Sequence, residues 1–141
     1  MEPAEGWDIT AILCDSAQVA EGKLYILGGG WSLCGPGAFT HAIALKVGVP
    51  WGEANQRHRL DAVLVDEDGQ VVSMGEPLQE ISFSSEFEVG RPPGLPEGTP
   101  LDFPIAVNFG PLELAAGHGY AWSLRVDGTE AERVPFRTRP A

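Results

Sequence analysis

Leu114-Ala115-Ala116-Gly117-His118-Gly119-Tyr120-Ala121-Trp122-Ser123-Leu124 is the stretch on which the fold turns. Tyr120, Trp122 and Leu124 alternate with the smaller Ala121 and Ser123, the two-residue period of a strand with one buried face. A Leu, a Gly and a Tyr (Leu114, Gly117 and Tyr120) ahead of such a strand mark a corner where the chain crosses from one sheet to another. Tyr120 is expected to bury its ring under that crossing loop and to donate its hydroxyl to a backbone carbonyl near Leu114.

The same alternation recurs on both sides of the corner. Phe39, His41, Ile43, Leu45, Val47 and Val49 share one face of a strand, opposite Thr40, Ala42, Ala44, Lys46 and Gly48. Ile81, Phe83, Phe87 and Val89 alternate with Ser82, Ser84, Glu86 and Glu88, and Leu101 to Phe109 repeats the pattern. Pro104 lacks an N–H for the ladder and Pro135 interrupts the last strand, so both strands are expected at sheet edges. Leu60 to Val65 turns at Asp66-Glu67-Asp68-Gly69 and is expected to return through Met74, and Asp127-Gly128 closes a second hairpin. Ile9 to Cys14 and Leu24 to Leu27 read as short strands joined by a polar connection from Asp15 to Gly22. About nine short strands without a helical period predict an all-β, antiparallel two-sheet sandwich, one domain over residues 1–141.

Charge and cysteine usage narrow the functional classes. The chain of 141 residues carries a net charge of -11, with ten acidic residues against Arg91 alone between Asp61 and Asp102. Nucleic acid would be repelled, so it is excluded as a partner. No apolar run reaches the roughly 20 residues of a spanning helix, and no membrane contact is expected. The start, Met1-Glu2-Pro3-Ala4-Glu5-Gly6-Trp7-Asp8, is acidic and lacks the apolar core of a secretory signal, which points to the cytoplasm. Cys14 and Cys34 have no zinc spacing and read as buried free thiols, with a bridge between them left open.

No cofactor or metal signature emerges. His41, His58 and His118 form no ligand pair, Asp66 to Gly69 lacks the further donors of a calcium loop, and Gly28 to Gly30 read as a bulge or close strand approach. His41 shares the apolar register and is expected to be buried, His118 to be exposed, and His58 to enter a strand with a solvated side chain. Recognition residues are sought on the longer loops, 28–36, 50–57 and 90–100. Trp31, Trp51, Arg57 and His58 are the candidates for partner binding.

From Phe103 through Phe136, the edge strand, the Leu114 to Tyr120 corner and the Asp127-Gly128 hairpin resemble the C-terminal half of immunoglobulin-like and fibronectin type III sandwiches. The front, Cys14 to Trp31, resembles the opening of a family of small uncharacterised bacterial proteins with no assigned activity. Trp122 stands where an antibody-type domain would place a cysteine, which argues against an extracellular receptor role. The function expected is a non-enzymatic binding or scaffold module whose partner is another protein or a second copy, paired along the edges that Pro104 and Pro135 mark. The alternatives are a carbohydrate-binding sandwich using Trp31 or Trp51 and, further off, a metal-dependent hydrolase built on His58 with Glu53.

Overall fold

The computed structural model describes residues 6–141, so the acidic start read over residues 1–5 lies outside the described residues. Two β-sheets face one another. The first has the order β2-β1-β4-β9, from β1 (Asp8–Ala20), β2 (Lys23–Gly29), β4 (Phe39–Val49) and β9 (Leu101–Leu112). The second has the order β3-β11-β10-β5-β8, from β3 (Leu33–Cys34), β5 (Arg57–Asp66), β8 (Ser82–Glu88), β10 (Gly119–Val126) and β11 (Thr129–Thr138). A separate two-stranded piece joins β6 (Ser73–Met74) to β7 (Gln79–Glu80).

The alternating residues meet in the middle. Ile9, Leu13, Ile43, Leu45, Val47 and Val107 of the first sheet face Leu60, Leu64, Trp122, Leu124 and Phe136 of the second in one continuous core. Burying side chains of this size is worth about 1.5–3 kcal/mol each, which is the main force closing the sandwich. Trp122 is fully buried and lies flat on Phe109, with ring centroids 4.3 Å apart.

Several expectations hold and others shift. Pro104 does lie on an edge strand, β9. Pro135 does not mark a terminal strand: β11 lies one place in, with β3 running parallel to it at Arg137 and Thr138 only. The return from Gly69 does not build a long hairpin. Val71 bridges Val65, the chain then leaves for β6, and the other partners of β5 are β10 and β8. Asp66 holds the turn, its Oδ1 accepting the N–H groups of Asp68 and Gln70. Both positions of the Asp127-Gly128 turn have positive φ, 50° and 87°, the geometry that matches the twist of a two-residue hairpin.

The stretch from Asp15 to Gly22 is not a loop. β1 continues through it to Ala20, reverses at Glu21-Gly22 and pairs with β2 from Lys23 onward. Pairing with β4 ends at Cys14, where β1 leaves the plane of the sheet and carries β2 across its outer face as an arm. That outer face is made of small residues, and Ala42, Ala44 and Ala106 give the arm room to close down with Ala17 and Leu24 against them. Asn108 of β9 ties the arm down by two bonds: its Oδ1 accepts the N–H of Ala17 at 3.1 Å, and its Nδ2 donates to the Ala17 carbonyl at 2.9 Å.

Candidate functional site

Three of the four candidates gather at one end of the sandwich. Pro50 ends β4, a single 3-10 turn follows at Trp51–Glu53, and Asn55 at φ 59° brings the chain back to Arg57. This turn sets the Glu53 carbonyl over His58. His58 Nε2 donates to it at 2.8 Å, while Nδ1 lies 2.7 Å from Oδ2 of Asp127 in the β10–β11 turn. With Nε2 donating to a carbonyl, only the doubly protonated ring also supplies a proton to the Asp127 carboxylate. His58 is therefore an imidazolium. Burial opposes its protonation, but the Asp127 hydrogen bond, the Glu53 carbonyl and the charges of both carboxylates outweigh that and raise its pKa.

His58 is thus buried, 4% exposed on its side chain, and not solvated as the sequence reading expects. It has the same strand parity as Leu60, Ala62 and Leu64 and so points into the sandwich, with Trp7 and Phe87 against its ring. Neither ring nitrogen is free to take a substrate proton or touch a partner. The role of this cluster is to lock the end of the sandwich: Asp127 also accepts the N–H of Arg59 through Oδ1, joining the β10–β11 turn to β5.

The sign of the pH effect follows from the raised pKa. The pair's contribution is complete below the unfolded histidine value of about 6.5 and is lost as pH rises through the higher folded value. Asp127→Asn should cost about 1 kcal/mol at pH 6 once solvent screening of its half-exposed carboxylate is allowed for. Urea unfolding at pH 6 and pH 9 would check this, with the gap between wild type and variant shrinking at the higher pH.

Trp51 is half-buried, and the guanidinium of Arg91 sits 4.5 Å over its ring. Arg57 is exposed beside Glu86, at 3.6 Å. Trp31 belongs to the opposite end, roughly 30 Å away along β4, where its edge meets His41 and Phe136. The four candidates are therefore not one site.

The corner lies at that opposite end, and one detail is reversed. Tyr120 accepts the N–H of Ala115 at 3.1 Å where donation to a carbonyl is expected. Thr138 takes the donor's role: its Oγ1 donates to the Ala115 carbonyl at 2.6 Å and accepts the N–H of His118. Leu114 is buried and Gly117 takes φ 73°, as a corner requires. His118 is exposed and His41 buried, as expected. Both cysteines are free and buried, and burial pushes both thiols up in pKa.

The most conspicuous surface feature is one the sequence reading did not select. Five of the eight large apolar side chains that remain exposed among the described residues, Ile12, Val19, Tyr25, Ile26 and Leu27, lie on β1 and β2. Tyr25 and Leu27 point away from the sheet below, and Leu27 is 70% exposed. The signal was present in Leu24-Tyr25-Ile26-Leu27, where four apolar residues in succession supply both faces of a strand. An arm lying on a sheet can bury only one of them.

The family model for the Family of unknown function (DUF6941) matches residues 9–139. The chain belongs to that family. The matched stretch takes in the arm, the His58 end and the Tyr120 corner together, so all three lie within the family's domain. No curated protein and no solved structure matches the chain.

Proposed function

We propose that this family member is a non-enzymatic binding or scaffold module, built on an immunoglobulin-like sandwich and acting in the cytoplasm through its β1–β2 arm. The observation that carries the reading is the concentration of exposed apolar side chains on that arm. Large apolar patches on a soluble domain mark contact surfaces, and an aromatic ring such as Tyr25 is a frequent anchor in them.

The strand order supports the immunoglobulin-like part. From β4 onward the chain crosses between the two large sheets at β4–β5, at β8–β9 and again at β9–β10, where the Tyr120 corner sits. Two free, buried thiols fit a reducing compartment. Among the described residues no helix is long and apolar enough to cross a membrane.

The test is capture from the native cell with a tagged chain, comparing Tyr25→Ser/Leu27→Ser with Arg57→Ala. The expected result is a defined set of cross-linked proteins that the double variant loses and the Arg57 variant keeps. A chain that retains nothing, or retains the same set in both variants, overturns the reading.

A further inference from the structure

We propose that the outer face of the second sheet, beside the Tyr120 corner, holds a binding site for a small organic acid: a monocarboxylate with an apolar body, gripped by Arg137. This site is separate from the arm and goes beyond the binding reading above.

A hollow forms there because the register sets short residues side by side. Tyr120, Trp122 and Phe136 pack toward the core, so Gly119, Ala121 and Pro135 face outward, with Ala121 paired to Pro135 and Gly119 to Arg137. β3 meets β11 at Arg137 and Thr138 alone, so Ser32 and Leu33 stand as one wall of the hollow, and the turn at Asp66 and Glu67 stands as the other. The cleft between them has a volume of about 660 Å³, the size of small-molecule sites. Leu33, Ala121 and Pro135 give it an apolar lining, and Leu33 remains 47% exposed.

The charged groups of the cleft decide what fits it. Arg133 is held by Glu130, through Nε and Nη2, both at 3.0 Å. Glu67 accepts the N–H of Gly119 at 2.7 Å, and Oδ1 of Asp66 accepts the N–H groups of Asp68 and Gln70. Arg137 is different: among the described residues no carboxylate lies within 4.0 Å of it. Its Nη2 donates to the Gly117 carbonyl at 3.1 Å, which fixes the plane of the guanidinium. Nη1 lies over the bare Cα of Gly119, 3.2 Å from where a side-chain carbon would sit, so glycine there gives the guanidinium room on the floor of the cleft. Nε and Nη1 keep their donors for a ligand, and a planar carboxylate is the anion that a guanidinium fork matches. A phosphate monoester would bring a second negative charge beside Asp66 and Glu67 and is disfavoured. On a chain of net charge -11, a fixed arginine without a carboxylate partner is where a single negative charge is best placed. Leu33 and Pro135 then cover the ligand's apolar body.

The experiment is a titration of the isotope-labelled full-length chain with sodium octanoate, followed through its backbone amide NMR shifts. The expected result is a saturable change centred on Leu33, Gly119, Ala121 and Arg137. Octanamide, with the same tail and no charge, should bind about tenfold more weakly, as should octanoate to Arg137→Gln, with Arg137→Lys in between. Leu33→Ser should weaken binding by about fivefold. Arg57→Ala, which removes a positive charge at the other end of the sandwich, should change nothing. Absence of saturation by about 10 mM octanoate overturns the site. So does octanamide binding as tightly as octanoate, or an Arg137→Gln protein that keeps the wild-type spectrum and the wild-type affinity. Tighter binding of octyl phosphate overturns the monocarboxylate, and a peptide ending in a free leucine carboxylate that binds where octanoate does not overturns the small acid as occupant.

Discussion

Trp122→Ala should destabilise the protein by about 3–5 kcal/mol, the range for deleting a large aromatic from a packed core. The ring is completely buried between the sheets and stacks on Phe109. Its Nε1 also donates to His41 Nε2 at 3.0 Å, linking β10 to β4 through the middle of the sandwich. Alanine removes the packing and leaves His41 without its donor, and an unpaired buried acceptor adds about 1–3 kcal/mol of its own. Trp122→Phe separates the two effects, since it keeps most of the ring and loses only the N–H. Urea unfolding should rank the three proteins wild type, Trp122→Phe, Trp122→Ala. A loss below about 1 kcal/mol for alanine would contradict the placement of this residue at the centre of the core.

The second large effect is loss of stability in mild acid. His41 accepts from Trp122 at Nε2, so its proton sits on Nδ1 and the ring is neutral. Protonating Nε2 would set two N–H groups against each other in a buried site. Burial accordingly lowers the pKa of His41 to about 4, from an ordinary 6.5. Between these two values the unfolded chain holds more protons than the folded one, so stability is greatest above about pH 6.5 and falls as pH drops toward 4. The loss reaches about 3 kcal/mol at the bottom of that window. His58 does not interfere, because its raised pKa places its own effect above pH 6.5. Asp127 and Glu130, whose pKa values are lowered by the bonds they accept, give up their contributions only below the ordinary carboxylate range. Unfolding free energies at pH 7, 5.5 and 4 should therefore slope downward in the wild type and flatten over this interval in His41→Gln.

His41 was readable in advance because its neighbours are unambiguous: it keeps step with Ile43, Leu45 and Val47, and one face of that strand has to be buried. His58 keeps step with Leu60 and Leu64 in the same way, but the polar run Gln56-Arg57-His58-Arg59 hides the register, and its bond to Asp127 spans 69 positions. The three long alternating strands and the corner were legible for the reason that fixes His41. The arm was not. Asp15-Ser16-Ala17-Gln18 looks like a loop because the arm buries little of itself, chiefly Ala17 and Leu24. Its seat depends on the smallness of Ala42, Ala44 and Ala106, and its fastening on Asn108, 91 residues from Ala17. Such a contact has no local period to betray it.

The thiol of Cys14 lies beneath that fastening, packed with Ala42, Ala44 and Ala17. The sulfur is fully buried there, so an alkylating reagent reaches it only when Ala17 comes away from Asn108. That sulfur is thus a built-in stopwatch for the seat of β1 and β2: the speed of its alkylation would count the occasions on which the seat is vacated.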